Sequence, residues 1–339
     1  MKLYSNEIVF RGHPDKVCDQ ISDALLDEYL HGDKNSRCAI EVMGGKGKIF
    51  ITGEVTSSSK VDINNVVRKV LDDVGYYEHY EIINNLGVQS SDIEMGTNNK
   101  VLGAGDQGQM FGYATNETAS HLPLAMVILQ MLSMKYDELR KKDKRFLSDG
   151  KAQITGVYDE DNHLVSIEVF TISYQNTEED RKNTDKIIKN LVKSICSMFN
   201  IKIKKFLINP TGRFKIGGFT GDAGLTGRKI LVDNYHSFAK VGGGAFSGKD
   251  PTKVDRSGAY KARLIAVDML EKYNLKWCEV QLCYAIGKRK PLSIYINSDI
   301  GIINDDKLYK ECEVHNIIKD LDLLNKCYYE TSKFGHFVK

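Results

Sequence analysis

The chain has 339 residues, a formal net charge of +2, 42% hydrophobic residues and 27% charged residues. This length predicts two or three structural units, and the composition is that of an ordinary globular protein without disordered tracts. The small net charge excludes a general electrostatic attraction to nucleic acid or to a membrane surface, so basic residues are interpreted locally.

Neither a membrane span nor an export signal is predicted. No apolar run approaches the roughly 18 residues of a membrane span, and the first residues, MKLYSNEIVFRGHPDK, lack the apolar core of a signal peptide. Seven cysteines without a C-x-x-C pair predict neither a zinc site nor a disulfide framework. We therefore expect a cytoplasmic protein that binds neither nucleic acid nor membranes.

The first predicted element is a helix over residues 16–30, where apolar residues recur at helical spacing. Asp19, Asp23 and Asp27 fall on another face of this helix, so the pattern is amphipathic. Two strands follow between residues 38 and 58, on either side of a glycine-rich turn. Each of these strands contains one acid, Glu41 in the first and Glu54 in the second.

Strands and helices alternate through the rest of the chain. The predictions are a helix near 66–71, a loop at 84–112, a helix at 122–134, a hairpin around 159–162, a helix at 178–198, a strand at 204–209, a helix at 259–273, strands at 278–286 and 292–297, and helices near 305–327. Strand pairs and helices alternate three times, without a repeat in the sequence itself. This order predicts an α+β protein with helices on one face of mixed sheets.

Residues 242–255, GGGAFSGKDPTKVD, come close to a phosphate-binding loop. The glycines and the lysine of the pattern G-x-x-x-x-G-K-[ST] are present, but Asp250 stands where a P-loop has its hydroxyl. This excludes a P-loop kinase, while the glycines, Lys249 and Lys253 still favour binding of a polyphosphate with a metal. Pro251 predicts a helix that begins just after Asp250. The alternative is a glycine-rich surface loop with solvated charges.

A second glycine motif, GAGDQG at residues 103–108, has the spacing G-x-G-x-x-G. We do not interpret it as a dinucleotide-binding motif, because no convincing strand precedes it and Ile128 stands about where the ribose-binding acid is required.

Three further segments combine glycine, acids and bases. They are His13 and Asp15 before the first helix, Asp149 and Lys151 at the start of a strand, and the glycine-dense residues 208–229. Each segment alone has a structural explanation, such as a helix cap or a turn. With residues 242–255 they make four segments of this kind. Four such segments in one chain favour a single site for a polyphosphate over four coincidences.

The strings GHPDK, GAGDQG, NPTGRF, GLTGRK and GGGAFSGKDP together resemble the S-adenosylmethionine synthetase (methionine adenosyltransferase) family of the bacterial and eukaryotic type. The resemblance covers nearly the whole chain. It implies synthesis of S-adenosylmethionine from ATP and L-methionine by attack of the thioether sulfur on C5′ of ATP. It also implies hydrolysis of the tripolyphosphate to phosphate and pyrophosphate. Such a reaction requires in-line placement of the two substrates and stabilisation of charge on the 5′ oxygen.

The resemblance implies a role for each matching residue. Catalytic positions are His13, Asp106, Lys151, Arg228 and Lys249. ATP positions are His13, Asp149, Lys151, Arg213, Phe214, Asp222, Arg228, Lys229, Ala245 and Lys249. Methionine positions are Glu54, Gln89, Asp222 and Lys253. Asp15 and Asp255 are implied as ligands of Mg²⁺, with two ions in each site, and Glu41 as a ligand of one K⁺.

The resemblance also implies the architecture. It implies three similar subdomains of mixed β-sheet with helices on one face, which we place at residues 1–98, 103–214 and 215–339. The sheets are expected to pack at a subunit interface in a homodimer with shared active sites, often a dimer of dimers.

The chain departs from the family pattern at a few positions. Phe219 and Thr220 stand where Pro-Met is common, His236 and Ser237 where Gly-Gly is common, and Val241 where a histidine is common. The loop after Gln89 is also shorter. Two rival functions follow: an inactive homologue that pairs with another subunit, and a nucleotide hydrolase that releases phosphate without methionine.

Overall fold

The computed structural model describes residues 1–88 and 102–337. Its first elements are β1 (Lys2–Val9), α1 (Pro14–Gly32), β2 (Arg37–Gly45), β3 (Lys48–Thr56), α2 (Ile63–Val74) and β4 (Glu81–Gly87). They are followed by β5 (Gly108–Thr115), α3 (Leu124–Lys142), β6 (Phe146–Tyr158), β7 (Leu164–Asn176), α4 (Arg181–Ser197) and β8 (Ile203–Ile208).

The C-terminal part begins with three short elements, α5 (Gly218–Gly221), β9 (Gly224–Leu225) and α6 (Ile230–Asp233), and a 3₁₀ turn at His236–Phe238. The long helix α7 (Val254–Tyr273) comes next. The last elements are β10 (Trp277–Tyr284), β11 (Ser293–Ser298), β12 (Gly301–Ile303), α8 (Leu308–Glu311), α9 (Val314–Asp320) and α10 (Tyr328–Ser332).

The described residues form three four-stranded sheets around three antiparallel hairpins. The orders are β4-β3-β2-β9, β1-β6-β7-β8 and β12-β11-β10-β5. Strands β3 and β4 are parallel, as are β7 and β8, and the other pairs are antiparallel. The α+β class is therefore confirmed; two of the three described sheets are mixed, and the sheet β12-β11-β10-β5 is antiparallel throughout.

Each sheet takes its fourth strand from a distant part of the chain. Strand β9 joins the hairpin β2-β3, β1 joins β6-β7, and β5 joins β10-β11. Since the ranges 1–98, 103–214 and 215–339 each supply one strand to another range's sheet, the three units are interlocked. Those boundaries themselves stay a prediction.

The helices cover one face of the sheets and build two main cores. One core contains side chains of α1, α2, α7 and α9 with the sheets of β2-β3 and β10-β11. The second core lies between the sheet β1-β6-β7-β8 and helices α3 and α4. The first core is therefore shared by two sheets and contains side chains of both α1 and α7.

Local sequence explains where the central helices begin. Pro14 is at the first position of α1, where the missing amide hydrogen is not needed. The imidazole of His13 accepts a hydrogen bond from the Asp15 amide and so caps this helix. Helix α7 begins at Val254. The prediction that it begins directly after Asp250 was wrong, because residues 251–253 form a turn fixed by the Asp250 carboxylate, which accepts from the Thr252 amide and hydroxyl.

Two further predictions need correction. The loop expected over residues 84–112 contains strand residues at both ends, in β4 and β5. Strand β1 was not predicted, because its sequence KLYSNEIV mixes polar and apolar residues at the edge of a sheet. None of the helices in residues 1–88 and 102–337 has the length and apolar content needed to cross a lipid bilayer.

Candidate active site

One cavity of about 280 Å³ brings together residues from three of the predicted segments. Its lining includes His13 from the start of α1, Asp149 and Lys151 from β6, and Phe214 and Asp222 from the glycine-rich segment. The pairing of β1 with β6 produces this arrangement, because Val9 lies opposite Lys151 and the chain then turns into His13. An imidazole, an ammonium, two carboxylates and an aromatic ring thus surround one space.

His13 is held in a defined orientation. Its Nδ1 accepts from the Asp15 amide at 3.2 Å, which leaves Nε2 to carry the hydrogen in the neutral ring. Burial lowers the pKa of His13 to about 4, and the nearby ammonium of Lys229 lowers it further, against the opposing effect of Asp15. At neutral pH the ring is therefore neutral, and its Nε2 hydrogen is available to a group that binds in the cavity.

Asp149 connects β6 to the glycine-rich segment. Its Oδ2 accepts from the amide of Gly218 at 2.8 Å. Burial raises the pKa of Asp149 to about 6, while this hydrogen bond opposes the shift. The carboxylate is therefore charged at neutral pH and holds the backbone next to the cavity.

Lys151 projects from β6 and is half exposed. Its ammonium lies 3.0 Å from the carboxylate of Glu7 on the neighbouring strand. Because the pair is exposed, it is weak, and an anion of higher charge can take the place of Glu7. Lys151 is thus available to a phosphate group.

Asp15 holds a second basic cluster near the start of α1. Its Oδ1 accepts from the Leu225 amide at 2.9 Å, and its Oδ2 lies 2.5 Å from the ammonium of Lys229. The guanidinium of Arg228 lies 3.6 Å from the same carboxylate. A buried acid therefore gathers the two bases of the GLTGRK string beside His13.

The acids that follow along α1 hold backbone amides of the GLTGRK and GGGAFSGKD strings. Asp19 accepts from the Gly227 amide at 2.8 Å, and Asp23 accepts from the Gly248 amide at 2.9 Å. Both side chains are buried, although the amphipathic pattern of α1 placed them on its polar face. Sequence reasoning missed this role. The signal was the spacing of four residues between Asp15, Asp19 and Asp23, which aligns them along one helix face.

The segment GGGAFSGKDPTKVD, which was predicted to bind a polyphosphate, lies at the start of α7. Lys249 forms an ion pair with Asp255 in the first turn of that helix. Gly244 packs directly on the Asp255 carboxylate, where a Cβ would overlap it. Ala245 lies close to Gly227, the residue before Arg228. A Cβ added to Gly227 would lie only 2.6 Å from the Cβ of Ala245. The structure thus brings the GGGAFSGKD and GLTGRK segments together.

Among the described methionine candidates, Asp222 lines the cavity around His13, whereas Glu54 and Lys253 lie elsewhere. Lys253 is largely buried, with its ammonium 3.4 Å from Asp250. Glu54 is half buried on β3, next to Ala39 of β2, and Ala39 bridges to Lys249. Gln89 lies outside the described residues. Neither Glu54 nor Lys253 lines the cavity around His13 in the part of the chain that the structure describes.

Three other predicted residues are exposed at the surface. Arg213 precedes Phe214 in the chain but does not line the described cavity. Asp106 accepts from the neighbouring Gln107 amide at 2.7 Å, in a segment that reaches Thr252 through the Gly105 amide. Glu41 is exposed on β2, opposite Thr52.

The metal candidates are single carboxylates. In residues 1–88 and 102–337, no three His, Cys, Asp or Glu side chains converge on a possible metal position. Mg²⁺ commonly uses one or two protein carboxylates, with water and substrate phosphates in the other positions. The donor sets at Asp15 and Asp255 therefore fit Mg²⁺ that arrives with a nucleotide, and each acid already faces a base that would contact the same phosphates.

Three family models match consecutive parts of this chain. They are the N-terminal domain of S-adenosylmethionine synthetase at residues 1–95, its central domain at 101–214 and its C-terminal domain at 216–339. The chain belongs to the S-adenosylmethionine synthetase family. This confirms the resemblance. The reaction of that family is the synthesis of S-adenosylmethionine from ATP and methionine. Of the segments that carry the resemblance, GLTGRK and GGGAFSGKDP are held against α1 by Asp15, Asp19 and Asp23.

Proposed function

We propose that this chain is an active methionine adenosyltransferase that joins ATP and L-methionine directly, without a covalent enzyme intermediate. The sulfur of methionine attacks C5′ of ATP, the C5′–O bond breaks, and the tripolyphosphate leaves as an anion. The observation that supports this proposal is the cavity where His13, Asp149, Lys151, Phe214 and Asp222 converge from segments about 200 residues apart in sequence. Its groups match a nucleotide that must lose a polyphosphate.

The bases of the site would bind the triphosphate and stabilise the leaving group. Lys151 and His13 line the cavity, and Arg228 and Lys229 lie next to it on Asp15. The Nε2 hydrogen of His13 can donate to the 5′ oxygen as its negative charge develops. Positively charged and hydrogen-bonding groups set in place before the reaction avoid the reorganisation that water would need. Phe214 would pack on the adenine, and Arg213 would act on ATP from the same turn.

Asp15 and Asp255 would hold two Mg²⁺ ions, and Glu41 one K⁺. Such cations would neutralise charge on the triphosphate oxygens. Asp149, Asp222, Ala245 and Lys249 complete our proposed ATP contacts. Asp106 is proposed as a further acid of the site, and Glu54, Gln89, Asp222 and Lys253 as contacts of methionine. A carboxylate suits the methionine ammonium, and a lysine suits its carboxylate.

We further propose a homodimer with shared active sites, or a dimer of such dimers. In the described chain, the cavity around His13 lacks Glu54, Lys249 and Lys253, which lie on or against the sheet β4-β3-β2-β9. The outer face of that sheet includes the exposed Glu41 and Met43. A second copy packed on this face would join the two groups of residues in one site.

The first experiment is chromatographic detection of S-adenosylmethionine after mixing the protein with ATP, methionine, Mg²⁺ and K⁺. A parallel assay measures phosphate release without methionine. We expect a methionine-dependent product together with phosphate and pyrophosphate. Phosphate release without methionine would support a hydrolase instead, and no product despite ATP binding would support an inactive homologue.

Subunit sharing is tested by co-expressing the Lys151→Ala and Lys249→Ala chains. If the two lysines reach one site from different subunits, a mixed dimer has one intact site, and activity returns relative to either variant alone. If both lysines serve a site within one chain, the mixture stays inactive. Lys204→Ala is the control, because Lys204 is exposed and pairs with Glu168 away from the cavity.

A further inference from the structure

The segment from Gly217 to Asp222 has two sides. On one side Gly217, Gly221 and Asp222 line the cavity around His13. On the other side the ring of Phe219 enters the protein and is completely buried. This side chain is thus placed to control the backbone that forms one wall of the cavity.

An aromatic cage surrounds Phe219. Its ring meets the edges of Tyr76 and Tyr80 in T-shaped arrangements, with centroids 5.3 and 5.7 Å apart. The hydroxyl of Tyr76 donates to the carbonyl of Gly12 at 2.6 Å, one residue before His13. The cage therefore connects the Phe219 segment to the other wall of the same cavity.

The backbone around Phe219 is fixed as well. The Phe219 carbonyl accepts from the Lys46 amide at 2.8 Å, and the Thr220 carbonyl accepts from the Lys46 ammonium at 2.6 Å. Gly218, with φ of +59°, donates to Asp149 on the cavity side. Any shift of the Phe219 ring would thus be transmitted directly to the hydrogen bond of Asp149.

Gly44 on β2 closes the cage. A Cβ at this position would overlap the outer edge of the Phe219 ring, and the backbone of Gly44 is not in the left-handed region. The three atoms nearest to such a Cβ all belong to the Phe219 ring, so this ring requires glycine here. The two residues form a matched pair in which one fills the space that the other leaves.

We propose that Phe219 is a positioning residue for the substrate cavity. Where the family commonly has Pro-Met, this chain holds the same segment by burying an aromatic ring between Tyr76, Tyr80 and Gly44. Without that ring, the wall formed by Gly217 and Asp222 loses its fixed position, and substrates bind less tightly. This inference rests on the proposed function, since it assigns a role within the same cavity.

The test compares Phe219→Leu with the wild-type enzyme. Two edge-to-face contacts are lost, so we expect KM for ATP and for methionine to rise by about tenfold, with kcat changed by less than about threefold. The dissociation constant of a fluorescent nucleotide, trinitrophenyl-ATP, should rise in parallel. This binding readout does not require turnover. Wild-type enzyme that makes no S-adenosylmethionine would therefore refute the proposed function and not the positioning role.

Gly44→Ala tests the pair from the other side, because its methyl group pushes on the same ring. We expect the same rise in KM. In the double variant the methyl group occupies space that the smaller leucine leaves, so its KM should fall below the product of the two single effects. Phe206→Leu is the control: its ring lies 6.0 Å from Phe170 in the other core and should affect stability alone.

Two results would overturn the proposal. One is a Phe219→Leu enzyme with KM and nucleotide affinity within about twofold of wild type, but with the stability loss of the Phe206→Leu control. The other is strict multiplication of the Phe219→Leu and Gly44→Ala effects. If Phe219→Leu does not fold, the conservative Phe219→Met and the single Gly44→Ala variants give the same comparison.

Discussion

Arg256 and Asp23 form a fully buried, two-pronged ion pair, with Nη1 and Nη2 of the guanidinium each 2.7 Å from one carboxylate oxygen. The pair joins α7 to α1. It also holds the phosphate segment between them, because Asp23 accepts from the Gly248 amide and Arg256 donates to the Lys249 carbonyl at 3.1 Å. The position of Lys249 therefore depends on an ion pair that has no contact with water.

Asp23→Asn should destabilise the fold strongly. The amide keeps the shape of the side chain but leaves the charge of Arg256 buried without a counter-charge, which costs about 3–5 kcal/mol in comparable pairs. Urea denaturation measures the loss in the free energy of unfolding. Glu81→Gln is the control, since the Lys48–Glu81 pair is exposed and should contribute less than about 1 kcal/mol. Equal losses in the two variants would contradict this account.

The helix that carries Asp23 shows how far the sequence could predict the structure. Apolar periodicity predicted the helix over residues 16–30, and the structure has it at Pro14–Gly32. The burial of Asp19 and Asp23 was not predicted, because charged residues at helical spacing normally face solvent. Their partners are the backbone amides of Gly227 and Gly248, about 200 residues away, which no local pattern identifies.

The sheets give the same lesson. The strand pairs β2-β3 and β6-β7 were predicted around their turns, and β10 and β11 were predicted as individual strands, because alternation and turns are local signals. That β1, β5 and β9 each join a sheet built by a distant part of the chain was not predicted. Pairing between strands far apart in sequence is decided by packing, which leaves no local signal. The motifs named the residues of the candidate site, whereas only the fold shows that His13, Lys151 and Asp222 share one cavity.

Asp15→Asn should impair the reaction without unfolding the protein. The amide oxygen can still accept from Leu225, but the charge that attracts Lys229 and would hold Mg²⁺ is lost. We expect kcat to fall by about 100- to 1000-fold, as when one charge-stabilising group is removed. The Mg²⁺ concentration for half-maximal activity should rise. Asp72→Asn, at an exposed acid on α2, is the control. A normal rate and Mg²⁺ requirement would refute the role of Asp15.

Protonation of Asp149 should weaken nucleotide binding at acid pH; we call this decrease in affinity the acid limb. Its pKa is raised to about 6 by burial, so the carboxylate is charged above that pH and protonated below it. Protonation weakens its hydrogen bond with the Gly218 amide and releases one wall of the cavity. The affinity for ATP, measured by calorimetry, should therefore decrease as the pH falls from 7 to 5. In Asp149→Asn this decrease should be smaller. An unchanged acid limb in that variant would assign it to another group.

His236 is an unfavourable residue at its own position. It has a left-handed backbone, with φ of +54°, and is 2% exposed. Within the described structure neither ring nitrogen makes a hydrogen bond of good geometry, and the nearby Val232 carbonyl offsets only part of the cost of burial. Backbone strain of this kind and an unsatisfied buried polar group each cost about 1–3 kcal/mol. Glycine relieves both, although it loses the packing of the ring and adds freedom to the unfolded chain.

His236→Gly should therefore raise the free energy of unfolding by about 1 kcal/mol at pH 7.5, and by more in acid. Burial lowers the pKa of His236 to about 4, against the opposing effect of the Val232 carbonyl, so between pH 6.5 and 4 the unfolded chain binds a proton that the folded chain does not. The wild type thus loses stability as the pH falls through this range, by about 2 kcal/mol at pH 5. The glycine variant avoids this loss, so its advantage should grow to about 3 kcal/mol at pH 5. Urea denaturation at both pH values measures the difference, with Ser237→Gly as a non-titrating control. A glycine variant that is less stable at both pH values would show that His236 has partners that compensate its burial.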